Sequence, residues 1–113
     1  MREERRRYNR LKTQLLTFYT DTRSGKTHRA LTKNIGAGGV CLLAEEYLTP
    51  GTRLNLELRL PDRSEAIRCQ VEVIWSQPVG MGSAAYQNEV GVEYIQIDSK
   101  QRTLLNQYAQ INA

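Results

Sequence analysis

The chain has 113 residues, of which 40% are hydrophobic and 25% are charged, and its formal net charge is +4. This length and balance are typical of one soluble globular domain with a single core. No apolar run approaches the ~20 residues that span a bilayer, and no apolar stretch follows the charged N-terminus as in a secretory signal. The sequence therefore predicts a domain without membrane insertion.

The positive charge is concentrated at the N-terminus. Residues 1–12 contain six basic and two acidic side chains, whereas the other 101 residues contain ten of each. A neutral body with a basic arm indicates an anion bound at one place. Because the first residues offer little apolar surface to bury, we predict a flexible basic arm over residues 1–12 and a folded domain over residues 13–113.

Strand patterns follow the arm. "LLTFYT" (15–20) is rich in aromatic and β-branched residues, and "HRALTKNI" (28–35) returns after a turn at Gly25. "GVCLLA" (39–44) resumes after a glycine cluster. These segments predict a hairpin followed by a third strand.

The middle of the chain alternates apolar and polar residues with a period of two, which is typical of half-buried strands. The first series follows the Pro50-Gly51 turn, and its apolar members are Leu54, Leu56, Leu58 and Leu60. The second series precedes a polar loop predicted over residues 76–89. Its apolar members are Ile67, Cys69, Val71, Val73 and Trp75. The last strand is "VGVEYIQI" (90–97). Trp75 and Tyr94 are predicted to pack in the core, with ligand stacking as the alternative.

A short helix is predicted at the C-terminus. Asp98 or Ser99 can cap it, and its apolar face contains Leu104, Tyr108 and Ile111 with Leu105 beside them. About six short strands with frequent turns and one terminal helix predict an all-β fold, a six-stranded antiparallel β-barrel with a short C-terminal α-helix.

Catalytic and metal-binding patterns are absent from the sequence. His28 is the single histidine, and Cys41 and Cys69 lack metal-ligand spacing. Both cysteines lie in apolar strands, so we predict buried free thiols in a reducing cytoplasm. No phosphate loop or dinucleotide fingerprint occurs. We expect a protein that is not an enzyme and has neither a metal nor a cofactor.

The arginine cluster is suited to a guanine nucleotide. A guanidinium can bond two acceptors at once, such as guanine O6 and N7 or two phosphate oxygens. A solvated charged tail, or an arm that adheres weakly to nucleic acid, would have the same composition. The cluster comprises Arg5, Arg6, Arg7 and Arg10.

"NIGAGG" (34–39) forms a second candidate stretch. Glycines at 36, 38 and 39 allow close approach of a ligand and turn backbone N–H groups toward an anion, and Asn34 can bond a base edge. The alternative is a bend between strands that needs positive φ angles.

Together the two stretches resemble the motifs of PilZ domains. "RRYNR" (6–10) reads as the family's RxxxR motif, and "NIGAGG" reads as its [D/N]xSxxG motif. The separation of the motifs, the Pro50-Gly51 turn, "VIW" (73–75), "VGVEY" (90–94) and the closing helix also resemble that family.

The resemblance implies a six-stranded antiparallel barrel that is a receptor for the bacterial second messenger cyclic di-GMP (c-di-GMP). It implies that Arg6 and Arg10 contact guanine and phosphate groups, with Arg5 and Arg7 assisting, and that Asn34 contacts a guanine edge. Gly38 and Gly39 belong to the close turn, and Gly36 replaces the family serine, whose lost hydrogen bond is worth about 2- to 10-fold in affinity.

We therefore predict that ligand orders the arm over the barrel and creates a surface for an unidentified downstream protein. Two alternatives remain: a PilZ-fold interaction module that no longer binds nucleotide, and a small barrel that binds nucleic acid. A homodimer is a further open arrangement.

Overall fold

The computed structural model describes residues 10–36, 38–61, 66–79 and 88–111, with Arg10 described for its backbone alone. Within these residues it contains seven strands and one helix. In chain order they are β1 (Arg10–Lys12), β2 (Leu16–Asp21), β3 (Thr27–Gly36), β4 (Gly39–Ala44), β5 (Arg53–Leu58), β6 (Ile67–Pro78), β7 (Asn88–Ile97) and α1 (Ser99–Ile111).

Six of these strands form a closed antiparallel barrel. Their order around the barrel is β3-β2-β5-β6-β7-β4, and the pairing of β3 with β4 closes the ring. β1 lies outside the ring and pairs with the end of β3. The predicted six-stranded antiparallel barrel with a C-terminal helix is confirmed, with β1 as an additional strand formed by the last three residues of the predicted arm.

The barrel interior is filled by the alternating apolar side chains that the sequence pattern indicates. Leu54, Leu56 and Leu58 of β5 are at most 2% exposed, and Val71 and Val73 of β6 are at most 1% exposed. Burying one such side chain contributes roughly 1.5–3 kcal/mol. The period-two interpretation is therefore correct for most of both strands.

The predicted polar loop over residues 76–89 is too long. β6 continues to Pro78 and β7 begins at Asn88, because these ends pair with each other in the antiparallel ladder. Polar side chains are compatible with strand at these positions because the outer face of the ladder is exposed. The remaining loop is 79–87, and residues 80–87 lie outside the described part of the chain.

Helix α1 begins as predicted. The Asp98 carboxylate accepts a hydrogen bond from the backbone N–H of Lys100 at 3.1 Å, so Asp98 is the N-cap. Leu105 and Ala109 are buried, with Leu104 and Tyr108 partly buried beside them. Ile111, which the pattern places on the apolar face, is 80% exposed, so the prediction that it packs with this face is wrong.

Both cysteines are free thiols, as predicted, but their burial differs. Cys41 is buried and Cys69 is partly buried. Desolvation raises the pKa of the Cys69 thiol to about 12. The prediction of full burial is therefore correct for Cys41 alone.

Candidate functional site

Strand pairing brings the end of the basic arm beside the glycine-rich turn. In the β1–β3 ladder, Arg10 lies opposite Gly36 and Lys12 lies opposite Asn34. The turn then leads into Gly39 at the start of β4. The second arginine of the RxxxR motif and the NxGxxG turn are thus neighbours in the fold, although 24 residues separate Arg10 from Asn34. Arg5, Arg6 and Arg7 lie outside the described residues.

A buried threonine fixes the segment between β1 and β2 against β3. The Thr32 hydroxyl accepts a hydrogen bond from the Leu15 N–H at 2.8 Å and donates one to the Thr13 carbonyl oxygen. The Thr13 N–H in turn donates to the Lys33 carbonyl oxygen at 3.2 Å. Because Thr32 is fully buried, leaving its hydroxyl unpaired would be costly. This network holds β1 in register with the turn.

A register shift in β3 directs Asn34 toward the outer surface. The β3–β4 ladder pairs Thr32 with Leu42 and then Asn34 with Cys41, so Lys33 is an extra residue on the β3 side. A bulge of this kind re-aims the side chains that follow it. Ile35, next in the strand, is fully buried, whereas Asn34 is partly exposed. The Asn34 side chain therefore lies on the outer face of the barrel wall and is partly exposed.

Gly39 is required by a close approach of two strands. A Cβ atom at this position would collide with the backbone carbonyl oxygen of Val92 in β7. The φ angle of Gly39 is not in the left-handed region, so the need for glycine here comes from space. The bend with positive φ that offered the alternative explanation does not apply to this glycine.

Trp75 lies on the outer surface beside the turn. It is 41% exposed, and a Cβ atom at Gly91 would collide with its indole ring, so the ring packs directly over Gly91. The prediction that Trp75 is a core residue is wrong. The reason is a register shift between Val73 and Trp75, which turns the Trp75 side chain to the face opposite the one that strict alternation predicts. Tyr94, by contrast, is buried as predicted.

The indole forms one wall of a cleft of about 270 Å³ at the end of the motif turn. The cleft is also lined by the exposed Gly38 and by residues of β4 and β7, including Gly39, Cys41 and Glu93. It combines an aromatic face with the exposed backbone of Gly38. These are the surfaces that a planar base and an anionic group require.

The charges near this surface are partly compensated. Lys33 forms an ion pair with Glu89 of β7, with 2.6 Å between Nζ and Oε2. The hydrogen bond and the charge of Glu89 raise the pKa of Lys33. Lys12 is exposed opposite Asn34 and adds a cation that no motif indicated.

A cavity larger than this cleft lies elsewhere on the described residues. It has a volume of about 830 Å³ and is lined by outward residues of β2, β5, β6 and β7, among them Phe18, Gln70 and Gln96. Glu57 lies at its edge and pairs with Arg59 at 2.6 Å and with Arg68 at 3.5 Å. None of the candidate ligand residues that the structure describes lines it.

Other kinds of site find no support in the described part of the chain. No cluster of three or more histidine, cysteine, aspartate or glutamate side chains could hold a metal ion there. His28 stacks on Tyr19 at 5.2 Å and lies 3.5 Å from the carboxylate of Glu46. Among the described residues, no helix has both the length and the apolar character needed to cross a bilayer.

A closed six-stranded antiparallel barrel, with a seventh strand beside a glycine-rich turn and a helix at the C-terminus, is the class of fold that these elements define. The family model for the PilZ domain matches residues 4–110. The chain therefore belongs to the PilZ domain family, whose members are receptor and regulatory modules. A search of curated protein sequences gives no match.

Solved PilZ structures share this fold. The PilZ domain of YcgR from Escherichia coli, solved with c-di-GMP, aligns over 96% of this chain and 91% of its own, with a TM-score of 0.75 and 16% identity. The Bacillus subtilis inhibitor of motility MotI (DgrA) aligns over 94% of this chain with a TM-score of 0.79 and 24% identity. MrkH, a c-di-GMP-dependent transcription regulatory factor, aligns over 94% with a TM-score of 0.75 and 14% identity. The chain spans about half the length of MotI and of MrkH.

Two residues of this surface lie outside both motifs. Lys12 belongs to the basic arm, and its position beside the turn depends on the pairing of β1 with β3. Trp75 continues an alternating series, so the pattern assigns it to the interior. Gly91 offered a signal in retrospect, because a glycine within a strand often marks close approach of another group.

Proposed function

We propose that this protein is a receptor for c-di-GMP that binds the ligand between its basic arm and the NxGxxG turn. The observation that carries the proposal is the β1–β3 ladder, which sets Arg10 opposite Gly36, two positions along β3 from Asn34. The last arginine of the RxxxR motif and the NxGxxG turn are therefore neighbours on the barrel. Membership of a family that contains c-di-GMP receptors supports the choice of ligand.

Each group at the proposed site has a role that fits its chemistry. The guanidinium groups of Arg6 and Arg10 bond guanine edges and phosphate oxygens, assisted by Arg5 and Arg7. The amide of Asn34 bonds a guanine edge. Gly36, Gly38 and Gly39 let the ligand approach the backbone of the turn closely.

Trp75 and Lys12 extend this site. The exposed face of the indole offers a platform on which a guanine base stacks, and stacking of a base on an aromatic ring is worth about 1–3 kcal/mol. Lys12 adds positive charge opposite Asn34, favouring the two phosphates of the ligand.

Ligand binding also supplies a mechanism for signalling. The cations of residues 1–12 repel one another, and about two negative charges on c-di-GMP relieve that repulsion. The arm orders over the barrel, and arm and ligand together present a new surface to a downstream protein in the bacterial cytoplasm. Hydrogen exchange of residues 2–9, which precede β1, tests this step, because we expect it to slow on saturation with ligand if the arm becomes ordered.

Isothermal titration of c-di-GMP tests the receptor function. We expect saturable binding to the wild type, loss of binding in Arg6→Ala and Arg10→Ala, and no binding of GTP. Arg23→Ala is the matched control, since Arg23 is exposed in the β2–β3 turn and lies away from the motif turn. Saturable heat from Arg6→Ala and Arg10→Ala equal to the wild type would contradict the assigned site.

Gly36 favours one alternative function. It lacks the hydroxyl of the family serine, so an interaction module that has lost nucleotide binding is the second candidate. The absence of any heat from a folded wild-type protein would support it. Binding to RNA or DNA with a steep salt dependence and no sequence preference would instead favour a nucleic-acid-binding barrel.

A further inference from the structure

Tyr94 of β7 makes two hydrogen bonds to the glycine-rich turn. Its hydroxyl donates to the carbonyl oxygen of Gly36 at 3.0 Å, and its backbone N–H donates to the carbonyl oxygen of Gly38 at 3.4 Å. The preceding residue, Glu93, pairs with Gly39 in the β4–β7 ladder. One short segment of β7 therefore contacts three residues of the turn.

The hydroxyl bond is buried, which makes it a strong constraint. Tyr94 is 9% exposed and its ring belongs to the barrel core. A buried hydroxyl and a buried carbonyl both lose contact with water, so separating them leaves polar groups that water cannot solvate. Arg102 of α1 lies over the ring, with 5.6 Å between its guanidinium carbon and the ring centroid, and further restricts the ring.

Strand pairing holds both ends of the turn, residues 34–36 in β3 and Gly39 in β4, and its glycines add no side-chain contacts of their own. Three of its six residues are glycines, which have the largest conformational freedom of any residue. Gly36 also has no side chain that could bond the backbone or a ligand. A ligand that binds a mobile turn has to order it, and this lowers the affinity. A contact that orders the turn before the ligand arrives therefore raises the affinity.

We propose that Tyr94 is a positioning residue for the c-di-GMP site, holding the turn between β3 and β4 in its binding shape through the Gly36 carbonyl. The inference rests on the proposed function, because it concerns the same site. It assigns a role at this site to Tyr94, which faces the core on the inner side of the barrel wall and is not among the proposed ligand contacts.

Tyr94→Phe tests the proposal by removing the hydroxyl and keeping the ring. Tyr19→Phe is the matched control: Tyr19 is also buried, and its hydroxyl donates to Glu46 at 2.7 Å, far from the motif turn in the fold. Both variants lose one tyrosine hydrogen bond and are compared for stability by urea unfolding. Two readouts follow: amide exchange of Gly38, Gly39 and Val40 without ligand, and the affinity for c-di-GMP.

We expect Tyr94→Phe to accelerate exchange at these three amides and to weaken c-di-GMP binding by about 2- to 10-fold. Tyr19→Phe should leave both readouts at the wild-type value even if its stability falls equally. Unchanged exchange in Tyr94→Phe overturns the role of the hydroxyl in holding the turn. Faster exchange with unchanged affinity overturns its role in binding.

A failure of the proposed function gives a different result. In that case the wild type binds no c-di-GMP, while the exchange experiment still decides whether Tyr94 holds the turn. If Tyr94→Phe does not fold, hydrogen exchange of the Tyr94 hydroxyl in the wild type replaces it. A hydroxyl held on the Gly36 carbonyl should exchange more slowly than that of the exposed Tyr47, and equally fast exchange overturns the proposal.

Discussion

Gly91→Ala tests the placement of Trp75 on the outer surface. A Cβ atom at residue 91 would collide with three atoms at the far end of the indole. A side chain can rotate away from such a collision, whereas backbone cannot. We therefore expect the variant to fold with Trp75 displaced from its position over β7.

The expected cost of Gly91→Ala is small. If displacement exposes about 50 Å² more of the ring, the loss is about 1 kcal/mol at ~25 cal/mol per Å², or about 4–8 °C in Tm. Gly39→Ala is the comparison, because its Cβ atom collides with the Val92 carbonyl and the β4–β7 ladder has to separate. Overpacking against a rigid neighbour costs roughly 1–3 kcal/mol, so we expect the larger loss there.

Fluorescence separates the two variants, because Trp75 is the only tryptophan of the chain. We expect a red-shifted emission for Gly91→Ala as the indole gains contact with water, together with the smaller fall in Tm. Gly39→Ala should show the larger fall in Tm. A Gly91→Ala protein whose emission matches the wild type and whose Tm falls as far as that of Gly39→Ala would refute the packing of the indole over Gly91.

Three further predictions concern affinity and pH. Gly36→Ser should raise the affinity for c-di-GMP by about 2- to 10-fold, measured by titration, and an unchanged affinity would show that the missing hydroxyl is immaterial. Lys12→Gln should weaken binding by about 2- to 5-fold and reduce its salt dependence, whereas Lys26→Gln, in the remote β2–β3 turn, should do neither. The pKa of the Cys69 thiol is raised from 9.0 to about 12 in the folded protein. Above pH 9 the unfolded chain therefore releases a proton that the folded protein retains. The free energy of unfolding should then fall by about 1.4 kcal/mol per pH unit. Urea unfolding at pH 8 and pH 10 measures this fall, and an equal fall in Cys69→Ala would contradict it.

The amino-acid sequence by itself determined the strand architecture. The alternation of leucines from Leu54 to Leu60 identifies an inward face without reference to any partner strand, because a strand has a period of two whatever it pairs with. The capping aspartate Asp98 is likewise a local feature, since its carboxylate bonds a backbone N–H two residues away. The basic arm is identified by its charge composition, and the motif turn is identified by its short glycine-rich sequence.

Only the tertiary structure decided how these parts meet. The pairing of Arg10 with Gly36, the outward face of Trp75 and the bond from Tyr94 to Gly36 each depend on register between segments far apart in the chain. A bulge of one residue reverses the face of every side chain that follows it, and no local pattern announces where it falls. The sequence therefore identified which residues could form a site, and the register of the barrel determined which of them are neighbours.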